Sequence, residues 1–207
     1  MRGKDSSKNA FQPLAPKALT PAQQREVEAD ENIQKAIELH ENNQLEEATR
    51  YFALAAQSEN PLGQLMYGLS LRHGWGCKSN PAEAIKYLQR AADAKPRASQ
   101  QTLRRMGSMD RKEAIAMARR ELVMALYELG MSYLKGWGVN KDKKVAFTYF
   151  KIAADLGDAD SQNETALCYY EGIGIEKDMY ESARYYRMAA AQGASQLGNS
   201  WIWKPKY

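Results

Sequence analysis

The residues best placed to do chemistry are three Gly-x-Gly turns: RHGWGCKSN from Arg72, LKGWGVNKD from Leu134 and YEGIGIEKD from Tyr170. A glycine-rich loop holds a phosphate when it follows a strand and opens a helix in a G-x-G-x-x-G or G-x-x-x-x-G-K frame. Both the frame and a preceding strand pattern are absent here. Glycine is also the residue that reaches positive φ at no steric cost, so the turns read as corners between helices. The remaining candidates for chemistry are sparse. His40 and His73 lie in different segments, without metal-ligand spacing and without an acid–nucleophile arrangement beside them. Cys77 follows a turn glycine, Cys168 stands beside Tyr169, and the spacing between them suits no metal. The expectation is no catalytic residue, no cofactor and no metal site.

The elements that would carry these turns repeat. Gly76, Gly138 and Gly174 are each followed eight residues later by a small residue: Ala84, Ala146 and Ser182. Tyr87, Tyr149 and Tyr185 come three residues further on, then the pairs Ala91-Ala92, Ala153-Ala154 and Ala189-Ala190. The pattern also starts at Ala48, without the glycines. The small residue recurs at intervals of 36, 62 and 36, so one unit carries a 26-residue insertion. A fixed period of this length marks a stacked-repeat architecture. Each unit reads as two helices. Leu126, Leu129, Gly130 and Tyr133 share one helical face, and Ala146, Phe150, Ala153 and Ala154 share another, which closes on Gly157. Neither helix can bury its face alone, so neighbouring units must stack. Thr20, Pro21 and Gln23 form a helix start of the capping-box kind.

The pattern LG-x-S-Y-x-x-G-x-GV-x-x-D-x-x-x-A-x-x-Y-F-x-x-AA-x-x-G closely resembles the Sel1-like repeat, a relative of the tetratricopeptide repeat. The second, third and fourth units carry it. The first resembles a plain tetratricopeptide hairpin. The resemblance implies an all-α, right-handed α-solenoid of about four helix-turn-helix repeats. It also implies an adaptor or scaffold that binds a signalling protein, a cell-cycle kinase by likeness of the GNSWIWKPKY tail to a fungal cell-cycle group. The alternative it leaves open is an activator or assembly factor for a membrane or cell-wall enzyme such as chitin synthase. The expected organisation is an arm over 1–20 and a solenoid over 21–194, with units near 24–60, 61–96, 121–158 and 159–194. An insertion fills 97–120, and 195–207 is a cap or tail.

In this superfamily the first helix of each hairpin lines the concave face. Counting from Gly68, Gly130 and Ala166 puts Leu65, Leu69, Arg72 and His73 there from the second unit. The third unit contributes Tyr127, Met131, Leu134 and Lys135, and the fourth Leu167 and Tyr170. The stripe is mostly apolar and reads either as a groove for an extended or helical peptide of a protein partner or as a face already covered by a tight superhelix or by the chain's own N-terminal arm. Trp201 and Trp203 read as a cap on the last repeat or as an aromatic anchor for a partner.

The insertion holds seven Arg or Lys against two acids, more than the whole formal net charge of +4. It has no interleaved aromatic residues and no nucleic-acid-binding fold beside it, so nucleic acid is not the expected partner. LRRMGS sets Leu103 and Arg105 before Ser108, the pattern of a candidate phosphosite; the plain alternative is a solvated loop. Hydrophobic residues make up 44% and charged residues 26%, as in folded soluble chains. No apolar run is long enough to span a bilayer, and the N-terminus lacks a signal-peptide core. With two unpatterned cysteines the expected location is cytoplasmic or nuclear.

Overall fold

The computed structural model describes residues 19–94, 111–194 and 198–207, and for 111–115, 117 and 118 it describes the backbone alone. Among these residues the chain forms eight α-helices and no strand. They are α1 (Pro21–Glu41), α2 (Leu45–Gln57), α3 (Pro61–His73), α4 (Pro81–Asp93), α5 (Arg111–Lys135), α6 (Lys143–Asp155), α7 (Ala159–Glu171) and α8 (Met179–Ala191). A 3-10 turn, Asn199–Trp203, follows.

Local sequence sets the helix ends. Thr20 and Gln23 form the capping box at the start of α1, with Pro21 at its first position. Asn60, Asn80, Asp142, Asp158 and Asp178 each accept a backbone N–H from the first turn of the helix they precede. At the other ends, Gly74, Gly136 and Gly172 take φ of +75°, +80° and +75°. The N–H of the next residue (Trp75, Trp137, Ile173) then bonds back to the carbonyl of Ser70, Ser132 or Cys168. The Asn80, Asp142 and Asp178 N–H groups close the three loops on Leu71, Tyr133 and Tyr169.

The helices pair as α1–α2, α3–α4, α5–α6 and α7–α8, and each second helix packs on the first helix of the next pair. The core is therefore a chain of clusters that bridge hairpins. One sets Leu62 and Met66 of α3 against Ile33, Ala36, Leu39, Phe52 and Ala55 of the first hairpin; another joins Leu65, Leu69, Ile85, Leu88, Ala125 and Leu129. Further along, Ala146, Phe147, Phe150 and Cys168 tie α6 to α7. First helices of successive hairpins also touch, α1 on α3 and α3 on α5, whereas among the described residues no two second helices make a contact of that extent. The stack is a helical solenoid with its first helices inside.

The second glycine of each turn does more than bend the chain. Gly76, Gly138 and Gly174 have φ of +61°, +74° and +75°. Each also lies flush on the preceding hairpin, where a methyl group would overlap the carbonyl of Leu45, Pro81 or Lys143. Those three residues are the first of α2, α4 and α6. The turns thus set the distance between hairpins. By contrast Gly193, at φ +84°, has open space around it.

Gly138→Ala carries both penalties, the left-handed backbone and the overlap, and lowers unfolding stability by about 3 kcal/mol or more. Gly193→Ala carries only the first and costs about 1 kcal/mol. Urea denaturation of the two variants separates the terms, and equal losses would show that the close approach is not a stabilising constraint.

The inner face of the solenoid

Arg72, at the end of α3, lies on the inner side with its side chain only 9% exposed. Its guanidinium pairs with the Glu128 carboxylate on α5, in the next hairpin. It also lies over the Trp137 ring, 4.2 Å from its centre. Burial holds the Arg72 pKa below its ordinary value, and the carboxylate and the ring face compensate for the lost water. His73, beside it, is exposed and stacks on Trp75 at 4.8 Å. Partial burial and the Arg72 charge both lower the His73 pKa.

The structure corrects part of the expected stripe. Leu65 is fully buried and Leu69 5% exposed, inside the cluster with Leu88, Ala125 and Leu129. Their side of α3 faces the first helix of the following hairpin, so neither side chain is offered to a partner. Tyr127, Met131 and Leu134 are half-buried against the Phe147–Phe150 cluster, with Tyr127 tilted over Phe150 at 5.8 Å. Lys135 is exposed, and Leu167 is 37% exposed. Tyr170 lies 5.5 Å from Trp201 and carries the Lys177 ammonium over its ring at 5.1 Å.

The tail folds back on the last hairpin. Trp201 packs against Tyr170, Tyr186 and Tyr207, and Ile202 is buried beneath it. Arg187 donates to the carbonyl oxygens of Ile202 and Tyr207 at 2.8 and 3.2 Å, which pins the tail to α8. Trp203 remains 66% exposed. Ser108 lies outside the described residues.

Several inner-face residues escaped sequence reasoning. Met124 is 50% exposed, and Met66, Glu128 and Glu164 stand two residues before Gly68, Gly130 and Ala166. The signal was available, because Glu128 and Glu164 recur at the 36-residue period. Glu164 is half-buried, and burial raises its carboxyl pKa, with Lys135 pulling the other way and Asp160 adding to the rise. The same burial, then Glu164, Asp160 and Asp158, raises Tyr127. Cys168 is pushed up to about 12 by burial and by Glu164, so it stays a thiol at neutral pH and is a poor nucleophile. Cys77 is raised by burial and its Sγ donates to the Ser70 carbonyl. Among the described residues no group of His, Cys, Asp or Glu could hold a metal ion, and no helix is long and apolar enough to cross a membrane.

The Sel1 repeat profile matches residues 61–96, 123–158 and 159–193, leaving out the first hairpin. The chain is 31% identical over 183 residues to Protein DSF2 of Saccharomyces cerevisiae, covering 85% of this chain and 25% of that protein. It is 29% identical over 191 residues to Mitosis inhibitor nif1 of Schizosaccharomyces pombe, covering 88% and 28%. The chain thus spans about a quarter of the length of the curated relatives it matches. A crystal structure of a Sel1 repeat protein from Oxalobacter formigenes superposes with a TM-score of 0.50 at 29% identity, covering 69% of this chain and 87% of that one.

Two expectations follow from the inner-face charges. Arg72→Ala leaves Glu128 half-buried without its partner and costs about 3 kcal/mol, whereas Arg72→Met/Glu128→Leu recovers most of that loss in urea denaturation. Glu164, with a raised folded pKa, favours the fold below the ordinary glutamate range, and that contribution is lost as pH rises through its folded pKa. Glu164→Gln therefore matches the wild type near pH 4 and is more stable than it at pH 8. A melting series across that range checks the sign.

Proposed function

The chain belongs to the Sel1 repeat family, whose repeats mediate protein–protein interaction, and on that premise we propose that it is a non-enzymatic adaptor or regulator that binds a protein partner along its inner face. The observation that carries this reading is the side-chain character of that face. Met124, Trp137 and Leu167 are 50%, 40% and 37% exposed on the described hairpins, with His73, Lys135 and Trp203 as a polar and aromatic border. Exposed apolar side chains in a concave, charge-edged surface suit a bound peptide or helix.

The partner we propose is a signalling protein, a cell-cycle kinase being the favoured kind. What supports this is the similarity to a fission-yeast protein named as a mitosis inhibitor. The binding residues proposed are Met124, Tyr127, Met131, Leu134 and Lys135 on α5, and Leu167 and Tyr170 on α7 with Trp203 of the tail. Arg72 and His73 close the other end, Arg72 through the pair that shapes the face. Leu65 and Leu69 take no part.

Met124→Glu/Leu167→Glu should remove partners captured from fungal extract and identified by mass spectrometry. Leu54→Glu/Ile152→Glu, at exposed positions on the second helices, should keep them, with equal helicity by circular dichroism. The reverse pattern would sink the inner-face reading.

A further inference from the structure

The inner face carries one more carboxylate than its repeat supplies with a partner. Glu128 and Glu164 occupy the same place in successive repeats, 36 residues apart. Glu128 is paired with Arg72, four residues after Gly68 in the preceding hairpin. The residue in that place before Glu164 is Leu134, four residues after Gly130. The aromatic platform under Arg72 is Trp137, and its counterpart one repeat on is Ile173. The step from α5 to α7 thus keeps the acid of the motif and lacks both its cation and its ring.

Glu164 accordingly makes no hydrogen bond and no ion pair among the described residues. The charges acting on it are Lys135, which is exposed, and Asp160, which has the same sign. On the same turn, Asn163 is 8% exposed; its Nδ2 donates to the Ala194 carbonyl, and its buried Oδ1 has no donor among the described residues. Two acceptors therefore stand close in the chain without donors. Tyr127, Met131 and Leu134 supply apolar surface on the facing helix, and Leu167 supplies it on α7.

Resting on the reading that the inner face binds protein, we propose that Glu164 seats a Lys or Arg side chain of the partner, carried on a segment with apolar neighbours that lie on Met131, Leu134 and Leu167. The partner's cation takes the role in trans that Arg72 takes in cis one repeat earlier. The carboxylate has already lost part of its hydration on folding, so a cation arriving there recovers Coulomb energy at reduced desolvation cost. A charge-assisted hydrogen bond at such a point fixes the register of the bound segment as well as its affinity.

A phage-displayed library of random dodecapeptides, selected on the immobilised full chain, tests this. The best binders are then titrated by fluorescence anisotropy against wild type, Glu164→Gln and Leu134→Arg. Selected peptides should carry Lys or Arg between apolar residues and bind both variants at least tenfold more weakly. Replacing that Arg by citrulline, or that Lys by norleucine, should cost as much on wild type and little on Leu134→Arg. In Leu134→Arg the Glu164 carboxyl, followed by carbon-13 NMR, should titrate lower than in wild type, because the pair has been rebuilt within the chain. Glu164→Gln, which keeps the side-chain shape, carries the test alone if Leu134→Arg does not fold.

Binders without a cation, or with affinities unmoved by the variants, would overturn the Glu164 seat and leave the inner-face reading standing. No binder above background would overturn both. If Arg2→Gln/Lys4→Gln/Lys8→Gln/Lys17→Gln raises the Glu164 titration in the free protein, the chain's own arm holds the seat and the proposal fails.

Discussion

The architecture depends on the contact between the second turn glycine of one hairpin and the first carbonyl of the preceding hairpin's second helix. At Gly76, Gly138 and Gly174 the backbone lies directly on the Leu45, Pro81 and Lys143 carbonyls, with no room for a β-carbon. A turn held that close fixes where the next second helix begins. The bridging clusters, from Phe52 against Leu62 and Met66 to Phe150 with Cys168, form beside that contact. Small residues repeat the principle: a methyl on Gly130 would overlap the Phe150 ring within one hairpin, and one on Gly63 would overlap Ala55 of the preceding hairpin. The large residues fill the space that the small ones define.

Because the first helices converge inside the stack, their side chains divide among three environments on a single helix. One side meets the helix's own partner, one meets the neighbouring hairpins, and the remainder faces inward. Leu69 and Met131 hold equivalent places, yet Leu69 is nearly closed off while Met131 is half-buried. The hairpins therefore differ in what they expose although they share a backbone. The functional character of the inner face lies in these departures from the repeat: an Arg where the next unit has Leu, a Trp where the next has Ile, and a tail that covers the last unit with Trp201 but leaves Trp203 outside.

Charge on this face is handled in two ways. At the α3–α5 step the cost of burying Glu128 is offset within the chain by Arg72 and the Trp137 ring. At the α5–α7 step Glu164 bears the cost with only an exposed lysine and a like charge acting on it. Interaction surfaces concentrate affinity at a few such points, where a desolvated group meets its complement. The rest of the face contributes shape.

By itself the sequence determined the repeat and the family through a 36-residue period, and the helix pairs and caps through short-range physics. Asn or Asp before a helix, glycine at a positive φ and an apolar face of period 3.6 are readable from residues less than two turns apart. Tertiary structure alone decided which inward positions are open. Leu65 and Leu69 read as groove residues from their helix but belong to the core, since the neighbouring hairpin covers them. Only the packing of one repeat on the next shows that, among the described residues, Glu128 is paired and Glu164 is not. Those outcomes depend on the angle and distance between hairpins, which no stretch of sequence shorter than a repeat contains.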